Sequence, residues 1–190
     1  MAATFPSGGA ATARPAEADP LAKLGGKYTV VRAGLDNPRQ ISLLGRGQIL
    51  VAEAGHGKTG CTEQFCMGFS GKVTLLSGKT GRAVPVMTGL LSAAGGDGSF
   101  ATGADGAGKR PGGEFFAAMT YAAPDQRPPG VSTRQLGKLM SRGPARRLRV
   151  AANISRFEII NDPDGEGVDS NPYSLLALKD GSRPASPVGS

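Results

Sequence analysis

The sequence predicts an all-β fold whose strands are grouped as the blades of an incomplete β-propeller. Two observations carry that prediction. The stretch Asn37-Pro38-Arg39-Gln40-Ile41-Ser42-Leu43-Leu44 is echoed by Asn171-Pro172-Tyr173-Ser174-Leu175-Leu176-Ala177-Leu178, each copy a turn followed by a short apolar strand. Between them, Ala33-Gly34-Leu35 has counterparts in Thr88-Gly89-Leu90 and Ala152-Asn153-Ile154. A period of roughly 40–65 residues with several short strands per unit is the pattern of propeller blades. The second observation is composition: 30 Gly and 14 Pro in 190 residues suit a chain of many turns rather than a helical one. A chain of this length buries one ordinary core, so one domain is expected.

Residues 1–26 are rich in Ala, Gly, Pro and Thr without periodicity and read as a disordered leader. The leader has neither a basic n-region nor an apolar h-region, so it is not a recognisable secretory signal. Strands begin at Tyr28-Thr29-Val30-Val31, which is β-branched and alternating. Gln40 to Leu44 and Gln48 to Ala52 follow, bridged by Gly45-Arg46-Gly47. Lys72 to Leu76 ends in the turn Ser77-Gly78-Lys79-Thr80-Gly81, and Ala83 to Thr88 comes next. Pro85 removes a ladder donor there, which places that strand at a sheet edge.

The next unit reads as damaged. Gly95 to Pro111 holds Gly, Ala, Asp and Ser but no apolar run where an innermost strand is expected. Glu114 to Tyr121 resumes as a buried strand, and a Pro-rich loop spans Ala122 to Thr133. Gly137-Lys138-Leu139-Met140 matches Gly71-Lys72-Val73-Thr74, and Arg147 to Ala152 supplies an outer strand. Ser155-Arg156-Phe157-Glu158 has capping-box spacing, with Ile154 and Ile159 at the two staple positions. The short connecting helix that starts there can run only to about Asn161, because Pro163 disfavours helical geometry at Asp162. The domain is expected over residues 27–178, about two to two and a half four-stranded blades, with residues 179–190 a disordered tail.

These residues carry a family likeness. Gly34-Leu35-Asp36-Asn37-Pro38-Arg39 and Ile49-Leu50-Val51-Ala52-Glu53-Ala54-Gly55 resemble the opening blade of the ScyD/ScyE-type propeller family. The run Phe157-Glu158 through Asn161-Asp162-Pro163-Asp164-Gly165, then Val168-Asp169-Ser170-Asn171-Pro172-Tyr173, is similar to that family's most distinctive segment. The resemblance spans roughly Tyr28 to Leu178; its first part is shared by many NHL-like propellers. It implies a secreted protein, extracellular or periplasmic, of unassigned molecular activity. Two departures stand out. The second blade should open on a His-Asp-containing strand but reads Ala104-Asp105-Gly106-Ala107. A closed propeller needs typically about four to eight blades, so the chain reads as a truncated family member.

The chemical motifs are sparse. Ala52-Glu53-Ala54-Gly55-His56-Gly57-Lys58-Thr59 fits a loose phosphate-loop pattern, but no amphipathic helix follows to point its amides at a phosphate. We read it as a glycine-rich interstrand loop. Cys61 and Cys66 are the two cysteines; too few ligands accompany them for zinc, and the spacing is not that of a redox Cys-x-x-Cys. They read as a local disulfide if the compartment is oxidising, and otherwise as two inert thiols. Asp162, Asp164 and Glu166 resemble the front of a calcium loop, but Tyr173 stands where its closing carboxylate belongs, so no metal site is assigned. His56 is the single histidine and no Gly-x-Ser-x-Gly elbow occurs, which leaves a hydrolase triad little support.

The chain carries 22 Lys and Arg against 15 Asp and Glu, a net charge of +7. The basic residues are spread out, aromatics are 5% and Trp is lacking, so no nucleic-acid partner is assigned. Arg142, Arg146, Arg147 and Arg149 read as a solvated outer strand and turn. No apolar run is long enough to cross a bilayer as a helix. The resulting expectation is a non-catalytic binding or scaffold propeller, without a cofactor, for an unknown small molecule or protein. Self-association through an exposed blade edge is also expected. Glu53, Asp169 and Asn171 are the candidate ligand-binding residues at the rim. The alternative is a lactonase-like propeller hydrolase with an incomplete site, an analogy from fold alone.

Overall fold

A computed structural model describes residues 28–58, 60–61, 65–96, 100–122, 127, 129–144, 147–167 and 170–178. The expected leader and tail lie outside them. The chain divides into one unit ending at Val30 and a second from Val31 onward. Of the first, Tyr28–Val30 are described; they are exposed and lie outside any strand, as does Val31 at the start of the second. The expected strand Tyr28–Val31 is therefore corrected. Alternation alone makes no strand without a neighbouring edge to pair with.

The second unit is mostly β, in two antiparallel sheets. In the first sheet β1 (Pro38–Gly45), β2 (Gln48–Glu53), β4 (Cys66–Ser77), β5 (Ala83–Ala94) and β6 (Ala101–Thr102) follow one another, and the two-residue β3 (Gly60–Cys61) pairs with β4. The second sheet has the order β10-β9-β8-β7, with β7 (Ala104–Lys109), β8 (Phe115–Met119), β9 (Lys138–Arg142) and β10 (Arg149–Asn153). The hairpin β1–β2 turns at Arg46 and Gly47, both at positive φ (52° and 71°). That pair of left-handed residues matches the right-handed twist of the flanking strands. β5 pairs with β4 along its length but meets β6 only at Ala93 and Ala94. Pro85 therefore does stand on an edge, where its missing N–H leaves no acceptor unsatisfied.

The stretch that read as damaged forms β7. It is built of Ala and Gly with one Asp and one Lys, and residues 104–108 are all buried. Apolar bulk is absent because there is no room for it. A Cβ on Gly106 would lie 3.1 Å from the Ser174 backbone, and one on Gly108 would lie 3.0 Å from the Leu175 side chain. Two sheet layers meet here, so side-chain periodicity gives way to close backbone approach. The core draws on both sheets: Leu50, Val73, Met87 and Leu90 from the first, Met119 and Met140 from the second.

The second Asn-Pro copy departs from the first. Residues 171–178 are not a strand, although β1 is. Leu175 is buried with Phe116 and Leu139, while Leu176 is exposed. The backbone N–H and C=O of Ala107, on the open edge of β7, already bond the Gln40 amide oxygen (3.2 Å) and the Ser42 hydroxyl (2.6 Å). The segment packs beside that edge with the ladder positions at Ala107 already filled.

Helix α1 (Ile154–Asn161) ends where Pro163 requires, at Asp162 with φ 37°. Its start corrects the capping box. Asn153 is the N-cap and its Oδ1 accepts from the Arg156 N–H (3.2 Å), while Ser155 lies buried inside the first turn. Gly137 draws the chain in: its carbonyl accepts from both Ile154 and Ser155 N–H, which shifts the helix start upstream of the expected cap. Ile154 packs beside Phe116 and Leu139, whereas Ile159 is exposed, so the expected staple does not form.

Cys61 and Cys66 form a disulfide between register partners of β3 and β4, with Cα atoms 3.9 Å apart. The loop it closes is short, so replacing both with Ser should cost at most about 2–3 kcal/mol, read from urea unfolding under non-reducing conditions. Gly103, between β6 and β7, is more exacting: an added Cβ would sit 2.6 Å from the Leu91 carbonyl oxygen and 2.7 Å from that of Ala54. Gly103→Ala is expected to destabilise by about 1–3 kcal/mol through overpacking against backbone. Gly96→Ala, which enters open space, should stay within about 0.5 kcal/mol in the same measurement.

Candidate functional site

Two polar clusters lie where the strands of the two sheets begin and end. The first is built on the β1–β2 hairpin. Asn37 sits at φ 51°, a conformation that Asn tolerates. Its side-chain amide donates to the Gly55 carbonyl (2.8 Å), and its own carbonyl accepts from Ala54 N–H (2.9 Å). This prolongs the β1–β2 pairing past the strand ends and brings Asp36 over Glu53. Glu53 is buried, and its carboxylate accepts from the Asp36 N–H (2.6 Å) and from the Thr74 hydroxyl. Lys72, its register partner on β4, closes an ion pair at 3.2 Å. Asp36 then holds the His56 Nδ1 at 2.7 Å and lies 4.0 Å from the Lys72 ammonium.

Such an arrangement orients an imidazole. The Asp36 carboxylate selects the Nδ1–H tautomer and leaves Nε2 facing outward on a side chain that is half exposed. Ser70 and Ser92 pin the loop beneath it, accepting from His56 N–H and Gly57 N–H, each at 2.9 Å. Both hydroxyls thus serve the loop backbone, and no Asp-His-Ser relay forms among the described residues. The loop that resembled a phosphate loop leads to β3, not to a helix, as an interstrand loop should.

The second cluster joins three elements: β1, β7 and the segment 171–178. Arg39 donates through Nε to Asp105 Oδ1 (3.2 Å) and its guanidinium carbon lies 5.4 Å from the centre of the Tyr173 ring. Asp105 is buried, whereas the Arg39 side chain is about a third exposed. Burial pushes the Asp105 carboxyl from its ordinary 3.8 up to about 6, against the opposing pull of Arg39 and of hydrogen bonds to Thr120 and Gly103. Beside the cluster an open groove of about 320 Å³ runs between β1, β7 and the later segment, lined by Gln40, Ser42, Gly108, Ser174 and Leu175.

Of the three expected rim residues, Glu53 is enclosed and saturated by neighbours, so it acts on Asp36 and Lys72 and not on solvent. Asn171 is exposed at the start of the segment that reaches the second cluster. Asp169 lies outside the described residues. The sequence pattern by itself assigns no site role to Arg39, Asp105 or Tyr173. A signal was there in the repeat, because Arg39 and Tyr173 each follow an Asn-Pro pair. In the acidic turn, Glu158, Asp162 and Asp164 place carboxylate oxygens within 4.8 Å of one another. Asp162 and Asp164 already accept from Gly167 N–H and Glu166 N–H, which is the behaviour of a turn.

No family profile, curated protein or solved structure matches the chain in comparison.

The raised Asp105 pKa makes a signed prediction. Its folded value lies above the unfolded one, so the folded state binds the proton more tightly. Stability is fully present below about pH 4, falls as pH rises to about 6, and is flat with respect to this group above that. The change is on the order of 3 kcal/mol. Asp105→Asn should abolish that fall, as urea unfolding across a pH series would read. Glu114 works in the opposite direction. A hydrogen bond from Arg149 (2.7 Å) lowers its pKa, so its smaller contribution is lost as pH falls.

Proposed function

We propose that this chain forms stacked blades of an NHL-like β-propeller of the ScyD/ScyE type and serves as a non-catalytic binding or scaffold unit. The observation that carries the reading is the common wiring of the two sheets. Each runs as an antiparallel meander outward from a strand at the sheet–sheet contact, β1 in one and β7 in the other. Correspondences follow through the register. Pro38 pairs with Glu53 as Ala104 pairs with Met119. The Asn37 carbonyl accepts from Ala54 N–H as the Gly103 carbonyl accepts from Thr120 N–H, each at 2.9 Å. In that alignment Arg39 and Asp105 occupy one position in successive units, and the Asn-Pro repeat puts Tyr173 at the place of Arg39 in the later copy. The ligand, a small molecule or a protein segment, would sit over that rim. An extracellular or periplasmic setting accords with the disulfide, since such bonds persist where the surroundings are oxidising.

The hydrolase reading has one observation in its favour, the Asp36–His56 pair. Against it stands the engagement of Ser70 and Ser92 with backbone groups of the His56 loop. A panel of metabolites, aryl esters and lactones offered to the purified chain separates the two. Thermal stabilisation by a compound that is recovered unchanged is the expected result. Turnover of an ester or lactone that disappears in His56→Ala would replace binding with catalysis.

A further inference from the structure

Resting on that reading of the rim, we infer that Arg39 is the anchor of a carboxylate-binding site where β1, β7 and the segment 171–178 converge. The argument begins with donors. A guanidinium carries five N–H groups in a rigid plane. In Arg39 the Nε–H is taken by Asp105, and among the described residues no acceptor bonds either terminal nitrogen. The side chain is about a third exposed, so a ligand can approach it. The guanidinium is engaged at two points, by the buried Asp105 at Nε and by the Tyr173 ring, whose centre lies 5.4 Å from its carbon. These contacts restrict the arginine before any ligand arrives, which lowers the entropic cost of a two-pronged contact.

A carboxylate matches that donor pair by geometry. Its two oxygens accept two parallel N–H groups in the fork arrangement that a lysine cannot offer. The Asp105 charge partly offsets that of Arg39, but its carboxylate is buried and turned to Nε, not to the exposed end. The net charge of +7 favours an acidic ligand over the longer range. The contact is partly in water, so affinity for a simple carboxylate is expected to be millimolar or weaker, resting on paired charge-assisted hydrogen bonds.

The test is nuclear magnetic resonance titration of the full chain with acetate and with citrate, at constant ionic strength made up with chloride. Saturable shifts of the Arg39 side-chain N–H and Tyr173 ring signals are expected, stronger with citrate. Arg39→Met combined with Asp105→Asn removes both charges together, leaving no buried carboxylate unpaired. That variant should weaken binding roughly tenfold or more; Tyr173→Leu, which only frees the arginine, should weaken it less. Nuclear Overhauser contacts between the Tyr173 ring and the Arg39 side chain separate the possible failures. If those contacts are present and the shifts do not saturate, or saturate equally in the double variant, the carboxylate site is refuted while the rim stands. If the contacts are missing, the convergence itself fails and the stacked-blade reading goes with it.

Discussion

The contact between Ala107 on β7 and the side chains of Gln40 and Ser42 on β1 is the constraint on which the rest of this structure depends. β7 is the open edge of its sheet, and a buried edge with unpaired N–H and C=O groups would cost several kcal/mol in total. Ordinarily a further strand would satisfy such an edge. Here two polar side chains from the other sheet do so, at 3.2 and 2.6 Å. Because side chains replace a strand, the two sheets are bound to each other through β7 and not only by apolar packing. The same substitution keeps residues 171–178 out of the ladder at that point and lets Leu175 settle against Phe116 and Leu139 instead.

Close approach dictates composition. The would-be Cβ of Gly106 meets both the Gln40 amide and the Ser174 backbone, so β7 must be small where β1 and the later segment converge. Small residues contribute little apolar burial, and this strand therefore relies on its flanks, with Met119 and Met140 filling space on neighbouring strands. Asp105 is the exception to smallness, and its burial is what raises its pKa. One buried carboxylate held by one arginine is a poor source of stability, since desolvation consumes most of the attraction. What the pair contributes is definition: it ties Arg39 to a single orientation across two elements.

How much of this was legible in the sequence depends on whether a residue's partner was local. The β1–β2 hairpin was legible because Gly45-Arg46-Gly47 and its flanking apolar strands are self-sufficient signals. The strands β8 and β9 were legible through Phe115-Phe116 and Leu139-Met140, and the edge position of β5 through Pro85. β7 was not, because Ala104-Asp105-Gly106-Ala107 carries no hydrophobic period; its strand state is set by neighbours distant in the chain. Residues 172–178 failed in the opposite sense. Their apolar pattern is that of a strand, but the edge they approach has its Ala107 groups bonded elsewhere. The candidate site divides in the same way. Glu53 stood out as an acidic residue at a strand end, yet its burial under Asp36 and Thr74 depends on pairings the local sequence does not announce. Arg39 and Tyr173 were marked only by their shared place after Asn-Pro.

The two polar clusters differ in a way that bears on function. In the Glu53 cluster the charges close on one another: Glu53 meets Lys72, Lys72 approaches Asp36, and Asp36 holds His56. An imidazole so held has the orientation that acid–base chemistry requires, but orientation alone accelerates nothing without a bound substrate within hydrogen-bond reach. The two serines nearest to it, Ser70 and Ser92, are engaged with the loop backbone. The Arg39 cluster has the complementary properties. Its Asp105 is buried, the Arg39 side chain is about a third exposed, and the chain neighbours Gln40 and Ser174 line a groove. The start of β1 lies between the two clusters: Asp36 serves one and Arg39 the other, separated by Asn37 and Pro38. The turn that starts the strand thus holds the Asp36–His56 pair and the Arg39–Asp105 pair apart, each tied to a different set of strands.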